Sequence, residues 1–528
     1  MKNKLYSLFT SAMPAVWGII MTLVLTLVLF VRNLVEYNFK PTFAVSNHLL
    51  ALIGIITASL LFLIYIRQKK RIDAFFSKFP RFTPAVMSIA FFTVQVFVFY
   101  NIFFVTGWDV YKIIVTAELV ADPGEMIYDW YYEIYPNNLF ITYLFGSVFK
   151  LARFFGYTET YAHVFILIVI QCFLACLTGY LVFKSVQSLI KNPVLPYIAW
   201  TVFALHVGLS PWISIPYSDA ITLLIPIAVF RLFQLTENKR CLMLKWALIG
   251  ALSFLGFKIK PQVLIILIAI LIYEAVSFLC KSENRERLIK AAAYLACIIA
   301  VCLSAVFTNF VNATVPIAQN KDAAFGLTHF FMMGLNPESG GAFSPDDVYF
   351  SDSFDTPKER SKANIDKAIE RLKALGGKGL VEYYAKKAML NFDNGTYSWS
   401  MEGNFYYDVP EAPNGSASPF LRDIFYYDGE YYQHFATLQQ YLWIMILLGN
   451  FGVIFIIRDK KMRSAVAVAV LALIGLTMFE MLFEARARYL FNYSPIFIVT
   501  ASVGWYAMLK SVASAVTSIK SKIIKKER

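Results

Sequence analysis

Apolar residues run along this chain in blocks of about twenty, parted by short stretches of Lys and Arg, and that pattern predicts membrane-crossing helices. Blocks long enough to span lie near 13–32, 46–66 and 82–106, then near 161–183, 195–212, 218–235, 243–257, 261–280 and 288–311, and finally near 438–457, 464–482 and 489–510. The expected fold is an all-α polytopic membrane protein with about twelve transmembrane helices. A further apolar block at 138–156 is interrupted by Lys150 and Arg153. The first block is too long for a signal peptide and no small-residue cleavage site follows it, so a retained helix is expected.

Basic residues orient the crossings. Arg67-Gln68-Lys69-Lys70-Arg71, with Lys78 and Arg81 after it, separates the second and third blocks, and placing it in the cytoplasm puts the N-terminus inside. Lys184/Lys191, Lys239/Arg240, Lys281/Arg285/Arg287, Arg458/Lys460/Lys461/Arg463 and the basic tail 520–528 also fall inside, provided that block 138–156 does not cross. That block is therefore expected to lie along the outer surface as a juxtamembrane helix. The chain is expected to be a multi-pass plasma-membrane protein with both termini cytoplasmic.

Four regions result: two N-terminal helices and a basic loop (1–81), a transmembrane core carrying a first outer loop at 107–160 (82–311), an extracytoplasmic loop subdomain (312–437), and C-terminal helices with a basic tail (438–528). The long loop is too large for an ordinary connection. Within it, Thr356-Pro357-Lys358-Glu359 reads as a capping box that opens a helix, Ile365, Ile369 and Leu372 recur at helical spacing, and Gly376-Gly377 stop it.

Composition narrows the class further. Hydrophobic residues make up 58% and charged residues 16%, which excludes a soluble globular protein. The net charge of +13 sits in short loops, as the positive-inside rule requires, and no nucleic-acid partner is expected. Cys172, Cys176, Cys241, Cys280, Cys297 and Cys302 lie in or beside apolar blocks and imply neither a disulfide framework nor a zinc site. No phosphate-binding or dinucleotide fingerprint is present, so no cofactor is required; a divalent metal is compatible with the carboxylates but no ligand spacing compels it.

Candidate chemistry gathers at the outer boundary. Gly107-Trp108-Asp109 closes the third block, where Asp109 is either a helix stop or a general base. The segment after it mixes Asp122, Glu125, Asp129 and Glu133 with Tyr128, Trp130, Tyr131, Tyr132 and Tyr135; such a mixture suits sugar recognition, with Asp129 and Tyr135 as candidates, and equally suits an interfacial helix. Lys258 and Lys260 stand on the outer side against the charge rule; a lipid phosphate would explain them, and snorkelling to lipid headgroups is the alternative reading. Arg486 and Arg488 suit bidentate phosphate binding, although Glu484 and Arg488 could pair four apart on a helix.

The stretches GWDVYKIIVTAEL, YEIYPNNLFITYLFG and IPYSDAITLLIP resemble the GT-C superfamily of polyprenyl-phosphate-sugar-dependent glycosyltransferases, which includes family 39 protein mannosyltransferases, lipid A aminoarabinose transferases and GPI mannosyltransferases. The resemblance covers most of residues 82–505, and its individual motifs are loose. It implies surface helices after the first acidic residue, Asp109 as catalytic base, Lys260 at the donor phosphate, and a second acid, Asp219, that orients substrate or a lysine where a helix cap is the plainer reading. His329, in Thr328-His329-Phe330-Phe331-Met332-Met333-Gly334-Leu335-Asn336, resembles a segment of bacterial members and would touch donor phosphate or acceptor. Two extra N-terminal helices depart from the superfamily pattern.

The expected activity is transfer of a sugar from a polyprenyl-phosphate donor to a hydroxyl of an envelope glycan or lipid, with inversion and on the extracytoplasmic face. Expected partners are that donor, the acceptor glycan, membrane lipids, a donor-synthesising glycosyltransferase and a flippase. A polysaccharide polymerase or ligase would use diphosphate-linked oligosaccharides instead. A flippase or transporter would place its ionisable groups near the bilayer midplane.

Overall fold

A computed structural model describes residues 2–31, 43–125, 127–235, 241–281, 284–315, 317, 320, 322–403, 406–408 and 417–526. Among them ten helices are long and apolar enough to cross a membrane, the first Asn3–Phe30 and the last Ala487–Ala515. Leu60, Leu63 and Ile64 of Asn47–Ser77, like Leu303 and Phe307 further on, stay exposed, which is the surface that hydrocarbon covers. The chain is an all-α polytopic membrane protein. The expected basic pair Lys239/Arg240 and the terminal Arg528 lie outside the described residues.

The blocks expected near 195–212 and 218–235 are broken rather than continuous. Leu195–Phe203 passes into a π turn at Ala204–Gly208, a 3-10 turn at Pro211–Ser214 and a four-residue helix Ser218–Ile221 before Leu224–Gln234 begins. Pro211 and Pro216 remove backbone donors that a through-going helix would use. The polar residues Ser214, Ser218 and Asp219 of this break are buried in the bundle.

The first of the two extra N-terminal helices is part of the bundle. Trp17 is fully buried and its indole N–H donates to Asn450 Oδ1 at 3.2 Å, while Arg463 donates to Ser7 Oγ at 2.6 Å. The second touches the bundle along Leu50, Ala51 and Gly54, where a Cβ on Gly54 would overlap Met445 Sδ.

The block at 138–156 forms the helix Leu139–Phe154, whose 16 residues span about 24 Å, short of a ~30 Å hydrocarbon core. It packs on Trp108–Ala121 so closely that a Cβ on Gly146 would lie 2.5 Å from Val120. Arg153, one of the two charges that argued against a crossing, bonds Glu118 at 3.1 Å and Asp122 at 3.2 Å, and Glu118 also meets His163 Nδ1 at 2.7 Å.

The long loop is folded. Thr356 Oγ1 accepts from the Glu359 backbone N–H at 3.3 Å as the expected N-cap, while the Glu359 carboxylate accepts from the Thr356 hydroxyl at 2.8 Å and not from its backbone N–H, so the box is formed in half. The expected stop at Gly376-Gly377 is instead a kink: Gly376 takes φ +61° and the helix resumes to Phe392. The buried face of this helix is Arg360, Asn364 and Ala368, while Ile365 and Ile369 remain exposed. Beyond it the chain is built into the bundle. Trp443 donates to Phe392 O at 2.8 Å, Trp212 to Tyr397 O at 3.1 Å, and His206 Nε2 stands 3.0 Å from the Tyr397 hydroxyl. Tyr397 and Ser398 both take left-handed φ, +54° and +60°, a strained pair that these bonds hold in place. A short antiparallel ladder then pairs Val105 with Asp408 and Thr106 with Tyr406, joining the loop to the chain just before Gly107.

Candidate active site

The helix Trp108–Ala121 starts abruptly. Trp108 takes φ +48°, unusual for a bulky residue, and its indole N–H reaches back to Thr106 Oγ1 at 3.1 Å. This reversal places Asp109 in the first turn, where the helix dipole favours a carboxylate. Asp109 is 37% exposed, its Oδ1 lies 3.8 Å from Lys112 Nζ, and Oδ2 accepts a long hydrogen bond of 3.5 Å from the Tyr217 hydroxyl. The Lys112 ammonium sits 5.0 Å from the Trp130 ring centre and 4.6 Å from that of Tyr131, so its second flank is aromatic.

Tyr217 brings in the proline-broken segment. Two residues on, Asp219 accepts from Lys260 in a pair that is almost wholly buried. Asp219 is thus a lysine partner, and the cap position belongs to Tyr217, whose side chain makes no capping bond. Lys260 stands at the break between Leu242–Ile259 and the turn Pro261–Val263, and its Nζ lies 4.6 Å from the Tyr489 ring centre. Arg488 lies among four rings, its guanidinium 4.5 Å from the Trp108 ring centre, 5.5 Å from those of Tyr217 and Tyr489 and 5.8 Å from that of Trp212. Four distant stretches, 107–112, 212–219, 260–262 and 480–489, therefore converge at one end of the bundle.

Glu480 and Gln262 complete the cluster. Gln262 donates to Glu480 Oε1 at 2.8 Å and to Tyr489 O at 3.0 Å, tying the Lys260 turn to the backbone beside Arg488. Lys112, Gln262 and Glu480 were not among the sequence candidates, although Lys112 follows Asp109 at helical i,i+3 spacing and Glu480 is a carboxylate near the end of an apolar span. Glu484 does not pair with Arg488. Residues 483–486 are not helical, and Glu484 binds Arg486 at 2.9 Å instead.

The other candidates lie around this centre without a hydrogen bond to Asp109, Asp219 or Lys260 among the described residues. Lys258 is half-buried in the last turn of Leu242–Ile259. Asp129 opens the helix Asp129–Ile134, with Oδ1 buried and lacking a hydrogen-bond donor. Tyr135 packs edge-on against Phe325 of the long loop at 5.7 Å, and burial together with Asp109 holds its phenol well above the ordinary range. Lys387, which the sequence did not single out, donates to Gly334 O and to Phe483 O, and burial pushes its amine down to about 7.

His329 lies in the loop's own core, fully buried, with Nδ1 2.7 Å from Ser351 Oγ and its ring 4.3 Å from Phe325. Burial lowers it from 6.5 to about 4, so it is neutral at neutral pH. The unfolded loop binds the extra proton between those values, so stability present above pH 6.5 is lost as the pH falls toward 4, by about 3 kcal/mol at most. Proteolysis of the loop is expected to quicken across that window in the wild type and to change less in His329→Gln. Equal acceleration in both would assign the acid sensitivity elsewhere.

Among the described residues no group of three or more His, Cys, Asp or Glu is arranged to hold a metal ion. The carboxylate and cations instead offer a proton acceptor beside an anion-binding wall. No curated relative matches the chain. Among solved structures it is similar to ArnT from Cupriavidus metallidurans bound to undecaprenyl phosphate, with 12% identity, a TM-score of 0.32 and coverage of 80% of this chain and 78% of that one. A family model matches residues 5–509 of these 528, and the chain belongs to that family, described as conserved hypothetical integral membrane protein.

Proposed function

We propose that the chain is a GT-C-type membrane glycosyltransferase that moves a sugar from a polyprenyl-phosphate donor to a hydroxyl of an envelope glycan or lipid, on the extracytoplasmic face. The observation that carries this reading is the meeting of Asp109 with Tyr217, Lys260 and Arg488 at one end of an apolar bundle. In the reaction, the acceptor oxygen bonds to the anomeric carbon as the bond from that carbon to the phosphate oxygen breaks. The hydroxyl proton passes to Asp109, and the negative charge stays on the departing polyprenyl phosphate.

Each group has work suited to its chemistry. Lys260 has three donors, of which Asp219 takes one, leaving the others for phosphate oxygens. Arg488, stacked among rings, presents a planar fork suited to two of those oxygens. The second oxygen of Asp219 is buried without a donor, and a sugar hydroxyl would satisfy it. Lys112 faces the base, its Nζ 3.8 Å from Asp109 Oδ1. Purified protein in vesicles, given a polyprenyl monophosphate sugar and an envelope glycan fraction, is expected to transfer the sugar with inversion. Transfer from a diphosphate-linked oligosaccharide alone would overturn this reading in favour of a polymerase or ligase.

A further inference from the structure

The short ladder between Thr106 and Tyr406 brings a group of stacked rings next to the candidate base. Tyr406 lies 4.6 Å from Tyr426 at 28° and 6.0 Å from Tyr427 at 14°, so the three faces are nearly parallel. The stack is fixed from below: Phe104 meets Tyr406 edge-on at 4.8 Å, and the Tyr426 hydroxyl donates to Ile102 O at 2.9 Å. Tyr427 is 39% exposed, and the exposed carboxylates of Asp428 and Glu430 follow it. Thr106 is three residues from Asp109, so at most about 11 Å of backbone separates the ladder from the base. A row of rings also runs inward, from Phe104 to Trp399 at 6.2 Å, to Trp212 at 5.4 Å, and to the Arg488 guanidinium at 5.8 Å.

We propose that Tyr406, Tyr426 and Tyr427 form a stacking platform for neutral hexose chains, which holds the acceptor glycan beside Asp109. The acceptor role rests on the transferase reading; the binding does not. Stacked rings cover one another's faces, so Tyr427, the exposed one, offers its apolar face to the C–H side of a pyranose while Tyr406 and Tyr426 hold it in place, and neighbouring carboxylates accept the sugar's hydroxyl protons. Rings at this position could instead anchor in the membrane interface. The exposed carboxylates beside Tyr427 argue against that, because a charged group resists burial at the lipid boundary.

The test uses the full-length purified protein and immobilised gluco-, galacto- and manno-hexaose. Binding of at least one hexaose is expected, weakened about tenfold by Tyr427→Ala and kept by Tyr427→Phe. No binding to any of the three, or equal binding by Tyr427→Ala, would overturn the platform. In Tyr427→Trp, the added fluorescence is expected to respond to the bound hexaose. Quenching of that signal by brominated lipid with no response to sugar would make the rings interface anchors and likewise overturn it. Failure of transfer with binding intact would count against the transferase reading alone.

Discussion

Asp109→Asn is expected to abolish sugar transfer, by roughly 10²- to 10⁴-fold in turnover, while donor binding stays intact. The asparagine amide keeps the size of the carboxylate and can still accept from Tyr217, so the pocket's shape is preserved. What it loses is the ability to take a proton. Because Asp109 is 37% exposed, the substitution leaves no uncompensated charge in the core and costs little stability. Lys112 loses one neighbour but keeps its two aromatic faces. Single-turnover transfer measured beside donor affinity separates these effects. Undiminished transfer would remove Asp109 as base, and loss of donor binding in step with turnover would make it a binding residue instead.

Asp219→Asn is expected to cost about 3–5 kcal/mol of stability, because it leaves the Lys260 ammonium buried without its counter-charge. Replacing both partners with apolar residues, Lys260→Met with Asp219→Leu, removes the buried charges together and is expected to recover most of that loss. Donor affinity is expected to stay low in the double variant, since the phosphate would have lost an ammonium partner. Thermal unfolding and donor binding read these separately. A double variant as unstable as the single one would show that the pair does not carry the stability, and full donor affinity in it would reject the phosphate role of Lys260.

Much of this architecture was legible as one-dimensional pattern. Block length and basic loops outlined the bundle, and the charges Lys150 and Arg153 marked the helix that is too short to cross. Arg153 proves to be the clamp on Glu118. Asp109, Asp219, Lys260 and Arg488 were each visible as ionisable residues at the ends of apolar blocks. Their mutual arrangement was not, because it depends on how helix ends turn. Lys258 and Lys260 differ by two positions, yet the extended backbone of Lys260, at φ −147°, carries it out of the helix to Asp219. The pairing of Glu484 with Arg486 rather than Arg488 follows from a non-helical stretch before the turn Ala487–Tyr493. Gly376-Gly377 read as an end because glycine tolerates left-handed φ, but the same freedom allows a kink. His329 looked chemically available only because burial within the loop has no signature in a single sequence.

The hydrogen bond from Trp17 to Asn450 spans 433 positions, and Tyr6 and Ser7 likewise reach Ser464 and Arg463. At ordinary rates of synthesis, about 5–20 residues per second, the partner of Trp17 is made roughly 20 to 90 s after Trp17 itself. During that interval the helix Lys2–Phe30 lacks the native acceptor for this indole N–H. Assembly closes like a ring, with the last helices locking the first.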